Sequence, residues 1–97
     1  MLSSMYHWFR RLLSGDPIRT TWTSGGVARS VTTYHQTGET AAHWSQRHIA
    51  DLKAALAAYP PDAVAHAEWT SGGSSYQINT NDTSYVAASL ASHPPDV

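Results

Sequence analysis

Apolar and polar residues alternate with two different periods along this 97-residue chain, and the periods switch in a fixed order. Over residues 2–14, Leu2, Met5, Tyr6, Trp8, Phe9, Leu12 and Leu13 recur at helical spacing, with Ser3, Ser4, His7, Arg10, Arg11 and Ser14 on the other side. This predicts an amphipathic helix, ended by Gly15 as the residue after the cap and by Pro17. Residues 18–35 and 64–80 instead alternate with the period of two that marks half-buried strands. Between them the helical period returns over residues 39–59, with the stripe Ala41, Trp44, His48, Ile49, Leu52, Ala55, Leu56 and Tyr59. Thr37 is the expected N-cap, Pro60-Pro61 stops the helix, and Arg47 and Asp51 lie four apart and can pair. A last, marginal helix is expected over residues 81–93, capped by Asn81, carrying Tyr85, Val86 and Leu90, and stopped by Pro94-Pro95.

Each strand-period region contains the same string, Trp22-Thr23-Ser24-Gly25-Gly26 and Trp69-Thr70-Ser71-Gly72-Gly73. A Gly-Gly pair between two alternating runs predicts a two-residue hairpin loop, because both central positions require positive φ. Closing the first hairpin there puts Trp22 opposite Arg29, where guanidinium and indole can stack. Closing the second puts Trp69 opposite Tyr76, and Val31 then corresponds to Ile78. Pro94-Pro95-Asp96 likewise echoes Pro60-Pro61-Asp62. The expected fold is therefore α+β: an N-terminal amphipathic helix over residues 1–15, then a single domain over 16–97 made of two ββα repeats, 18–62 and 63–96. It has a four-stranded antiparallel sheet with the helices packed on one face. Its expected core is Trp22, Trp69, Val31, Ile78, Trp44, Ile49, Leu52 and Leu56.

Composition narrows the function more than it names it. Six Lys+Arg against seven Asp+Glu disfavour a general nucleic-acid binder, whose affinity rests on many phosphate contacts. A nucleic-acid reading would have to use the scattered Arg10, Arg11, Arg19, Arg29, Arg47 and Lys53. The absence of cysteine excludes disulfides, Cys-based zinc sites and thiol catalysis, and fits a cytoplasmic, reducing compartment. No stretch is apolar enough to span a membrane. Peripheral contact through residues 2–14 is weakened by the few cations on that polar face.

Six histidines invite a search for a metal site, yet His43 and His48 are five apart and point away from each other on a helix, and no ligand spacing appears. No metal and no cofactor is expected. No nucleophile elbow surrounds any serine, so the chain does not read as an enzyme. The residual catalytic reading is a polar pocket of Trp22, Arg29, Trp44, Arg47 and His48, in which His48 interrupts an apolar stripe. The leading expectation is a small non-catalytic interaction module, an adaptor or inhibitor of a larger assembly, that binds a protein partner or forms a homodimer. It would use its first helix, through Met5, Trp8, Phe9, Leu12, Arg10 and Arg11, or open sheet edges.

Overall fold

The structure, a computed structural model, describes residues 15–97. The helix expected over residues 2–14, with its candidate partner-binding side chains Met5, Trp8, Phe9, Arg10, Arg11 and Leu12, lies outside the described residues. The elements are β1 (Ile18–Ser24), β2 (Val27–Thr33), α1 (Ala41–Ala58), β3 (His66–Ser71), β4 (Ser74–Asn79) and α2 (Thr83–Ser92). They form an α+β fold in which one four-stranded antiparallel sheet has the order β2-β1-β3-β4. The two hairpins thus join through their first strands, by the short ladder Arg19↔Glu68, Thr20↔Ala67 and Thr21↔His66.

Both hairpins close as their glycine pairs dictate. Gly25 and Gly26 have φ of 56° and 78°, and Gly72 and Gly73 have 58° and 77°, the left-handed values of a type I′ turn. The resulting register pairs Trp22 with Arg29 and Trp69 with Tyr76. Ile18, Thr20 and Trp22 of β1 and Ala67 and Trp69 of β3 face inward, and α1 lays Trp44, His48 and Leu52, each four residues apart, against them.

Four of the expected core residues are buried: Trp22, Trp44, Leu52 and Trp69. Val31, Ile49, Leu56 and Ile78 are only partly buried against that core; for Val31 and Ile78 the reason is that β2 and β4 are the sheet's edges. Ile18, Ala65, Ala67, Val86 and Leu90 complete the buried set.

The caps differ from expectation by one to three residues. Gly38, with φ of 79°, makes a turn after Thr37 in which the Glu39 N–H donates to Gln36 O at 2.9 Å. The helix therefore starts after Thr40, whose hydroxyl accepts the His43 N–H at 3.1 Å. At α2, Asp82 replaces Asn81 as cap by accepting the Ser84 N–H at 2.9 Å. Asn81 is occupied elsewhere: its side chain accepts the Ala65 N–H and donates to Ala63 O, both at 2.7 Å, which fixes the entry to β3. No helix among the described residues is long and apolar enough to cross a membrane.

Candidate functional site

The repeated string is a structural clamp. The Trp22 indole N–H donates to Tyr59 O, and the Trp69 indole N–H to His93 O, each at 2.8 Å. The chain then runs through two prolines to an aspartate that grips the hairpin turn. Asp62 accepts the N–H groups of Gly25 and Gly26 at 2.8 and 2.9 Å, and Asp96 accepts those of Gly72 and Gly73 at 2.7 and 2.9 Å. The aspartates' own N–H groups donate to Thr23 O and Thr70 O. A left-handed turn points two successive N–H groups to one side, and a carboxylate there is held by charge-assisted bonds. The Gly26 and Gly25 N–H groups accordingly lower the Asp62 pKa below its ordinary value.

The five residues proposed for a polar pocket fall into two groups. Trp22 and Arg29 lie at the end of α1, where the Arg29 guanidinium sits 3.8 Å above the Tyr59 ring. In the other hairpin the equivalent pair is Tyr76 on the His93 ring, with centroids 4.1 Å apart. Trp44, Arg47 and His48 lie near the start of α1. The Trp44 indole N–H donates to Thr33 O at 3.1 Å, and Arg47 reaches Tyr34 O.

His48 is fully buried, 0% exposed. Its Nε2 is 2.9 Å from Thr20 Oγ1 and its Nδ1 is 2.9 Å from Thr33 Oγ1. A neutral imidazole donates at one nitrogen and accepts at the other, and a hydroxyl can serve either role. Burial first, and the Arg47 charge second, push its pKa down to about 4. The ring is satisfied as a neutral crosslink between helix and sheet, and both nitrogens are engaged.

A polar cluster that residue spacing did not announce surrounds Glu39. Arg47 donates from Nε to Oε2 at 3.0 Å and from Nη2 to Oε1 at 2.9 Å, and His43 Nδ1 lies 2.6 Å from Oε2. The Arg47 bond is the main reason the Glu39 pKa falls to about 2, helped by the Gln36 N–H and His43. Arg47 thus takes Glu39 as its direct partner, and the expected Asp51 contributes only through space. Its place in the turn before the helix, set by Gly38, is what lets Glu39 fold back onto Arg47.

These pairings leave the cations poorly placed as a phosphate-binding surface. Arg29 covers Tyr59, Arg47 is held by Glu39, and Arg19 lies 4.0 Å from Glu68. No group of three or more metal-ligating side chains converges among the described residues.

What the structure adds is a groove of about 850 Å³ between α1 and α2. Ala42, Ser45, Gln46, Ile49, Ala50 and Lys53 line it from α1 at helical spacing, with Thr40 and Ala41 at its end. Ala87, Leu90 and Ala91 of α2, followed by Pro94, form the opposite wall. Small alanines on both sides keep the walls low, while Ile49 and Leu90 supply the apolar floor. The Ser45 hydroxyl has no hydrogen-bond partner among the described residues. By contrast, the large apolar side chains exposed elsewhere, Val27, Tyr59, Val64, Tyr85 and Val97, are dispersed over the turns, helix ends and tail, and scattered apolar residues of this kind are ordinary on a folded domain. Compared with known proteins, the chain matches no family model, no curated protein and no solved structure.

Proposed function

We propose that this chain is a small non-catalytic protein-interaction module, an adaptor or inhibitor of a larger assembly, that receives an amphipathic helix in the groove between α1 and α2. The observation carrying this reading is the groove itself: an elongated apolar trough with a polar rim of Thr40, Gln46 and Lys53. That is the surface an amphipathic helix recognises through residues at i, i+3, i+4 and i+7. Its α1 wall runs from Thr40 to Lys53, about 20 Å at 1.5 Å per residue, or room for roughly four helical turns. Three or four apolar anchors contribute about 1.5–3 kcal/mol each when buried. Against the cost of association, this supports a reversible, moderate-affinity partner.

The scaffold reading that accompanies it is two ββα repeats. In its support, Trp22 and Trp69, the Gly-Gly turns, and Asp62 and Asp96 make the same contacts in both halves. Thr20 and Ala67, equivalent under the repeat, face each other across the β1–β3 ladder. Such a duplication builds a rigid platform, and the open edges β2 and β4 remain a second surface for self-association.

Titrating the isotope-labelled protein with a synthetic Leu/Lys amphipathic peptide, followed by amide NMR, tests the reading. Shifts should concentrate at Ile49, Ala50, Ala87 and Ala91, and should disappear in the Ala50→Arg/Ala91→Arg variant. Shifts confined to the polar sheet face, or none at all, would refute it.

A further inference from the structure

The groove occupies one flank of α2, and the open strand β4 runs along its other flank. Resting on the open sheet edges of the reading above, and not on its groove, we infer that β4 is the edge through which this chain pairs with a second copy of itself. The two β4 strands run antiparallel about a two-fold axis at Gln77 and join two four-stranded sheets into one of eight strands.

The edge is unprotected and matches itself. The two-residue turn makes Ser71–Ser74, Trp69–Tyr76 and Ala67–Ile78 hydrogen-bonded pairs, so the backbone N–H and C=O groups of Ser75, Gln77 and Asn79 point away from β3. All three residues are exposed, and no described strand pairs with them. β4 carries no charge and no proline, two of the devices that blunt a natural edge. The opposite edge, β2, does carry an inward-facing charge, Arg29. About Gln77, Ser75 meets Asn79 of the second copy and Gln77 meets Gln77. On the inner face Tyr76 meets Ile78 of the second copy, an aromatic and β-branched pair.

The helices favour a second copy over a foreign strand. α1 packs on β2 and β1. α2 lies over β3 and β4, where the Trp69 indole N–H bonds His93 O and Tyr76 stacks on the His93 ring. Each helix thus covers two strands, about 10 Å of sheet, which is also the packing distance of helices. Pairing β4 with its copy therefore seats two α2 helices side by side, as the β1–β3 ladder seats α1 beside α2. Tyr85 is placed for this contact. It is 56% exposed and precedes Ala87 of the groove by two residues, about 200° around the helix, so it stands on the flank away from α1. Ser89 and Ser92, farther along α2, share that flank. Because the paired helices are antiparallel, each Tyr85 meets the small Ser89 and Ser92 of the other copy. A foreign strand would satisfy the same backbone groups and leave Tyr85 uncovered.

The chain has no cysteine, so a single introduced thiol reports its own two-fold contact. At the axis Gln77 faces Gln77 as a hydrogen-bonded pair with Cα atoms about 5.5 Å apart, within disulfide range. Full-length Gln77→Cys should therefore form a disulfide-linked dimer under mild oxidation. Ser75→Cys, displaced from its equivalent by roughly 13 Å along the strand, should not. Without oxidation, sedimentation equilibrium should show the wild type associating. Gln77→Pro removes an outward N–H and spares the β3 ladder; it should associate about tenfold more weakly with an unchanged circular dichroism spectrum. Tyr85→Ser should also weaken association. A wild type that stays monomeric up to about 1 mM, or a folded Gln77→Pro that associates as strongly, would overturn the proposal. Crosslinking through Ser30→Cys on β2, and not through Gln77→Cys, would overturn it as well. A monomeric wild type that still binds the Leu/Lys peptide would sink this proposal alone, whereas a β4-linked dimer that fails to bind the peptide would sink only the groove reading.

Discussion

Replacing His48 isolates a pH-dependent contribution to stability that can be worked out in advance. The ring is buried and neutral, and its pKa of about 4 lies below the ordinary 6.5. The unfolded chain therefore takes up a proton at this residue between pH 6.5 and 4 while the folded chain does not, so stability falls as pH falls through that window. Above it the contribution is fully present; below it the loss is complete and flat. Each pH unit corresponds to about 1.4 kcal/mol, so the window costs about 3 kcal/mol, a large share of the roughly 5–15 kcal/mol that stabilises a domain of this kind. The test is urea unfolding of wild type and His48→Gln at pH 7.5, 5.5 and 4. At pH 7.5 the variant should be less stable by about 1–3 kcal/mol, because Thr20 and Thr33 lose a well-placed partner inside the core. On acidification the wild type should lose about 3 kcal/mol more than the variant, so the two curves converge or cross. Every other residue is common to the two proteins, so its contribution cancels in the comparison. Parallel curves from pH 7.5 to 4 would refute the buried neutral crosslink.

Three further outcomes follow from the same geometry. Gly25→Ala and Gly72→Ala should each cost about 1 kcal/mol in chemical denaturation, since both positions have left-handed φ and an added Cβ meets nothing within 4 Å, leaving backbone strain alone to act. Glu39→Gln should lower the thermal midpoint at pH 7, where the carboxylate is charged and held by Arg47. Because the folded pKa is depressed to about 2, the difference from wild type should shrink as pH falls from the ordinary carboxylate range toward 2, as calorimetry at pH 7, 4 and 2.5 can follow. Trp22→Phe and Trp69→Phe should each lose about 1–2 kcal/mol by removing the indole donor from the carbonyl at the end of its helix; similar losses in urea unfolding are expected, and a negligible loss at either would refute the shared clamp.

The elements were legible because their causes are local. A Gly-Gly turn sets the register of its own hairpin, so the pairs Trp22–Arg29 and Trp69–Tyr76 could be read directly from the chain. The polar partners of His48 were also within reach, since Thr20 and Thr33 fall on the inward face in that register, two hydroxyls where apolar residues belong. Strand order was not legible. The alternation within each hairpin says nothing about which strand joins the other hairpin, and the short β1–β3 ladder pairs residues far apart in the chain, Arg19 with Glu68, Thr20 with Ala67 and Thr21 with His66. The roles of Asp62 and Asp96 were visible only as an echo of Pro-Pro-Asp, because their meaning depends on each helix returning the chain to its own turn. Glu39 was misplaced for a related reason. A turn at Gly38 shifts it out of the helix, where its carboxylate can meet an arginine two helical turns away.

The groove lies where the two clamps bring the helices together in opposite directions. β1 and β3 are antiparallel, and each helix ends at the tryptophan of its own hairpin, so α1 and α2 run antiparallel and the first turns of α1 stand beside the last turns of α2. Thr40, Ala41, Ala42 and Ser45 line the groove there together with Ala87, Ala91 and Pro94, and these side chains are too short to fill the space between the two helices. Replacing Ala42 and Ala91 with leucine would therefore fill the groove without touching either clamp, which separates the part of the molecule that holds its shape from the part proposed to receive a partner.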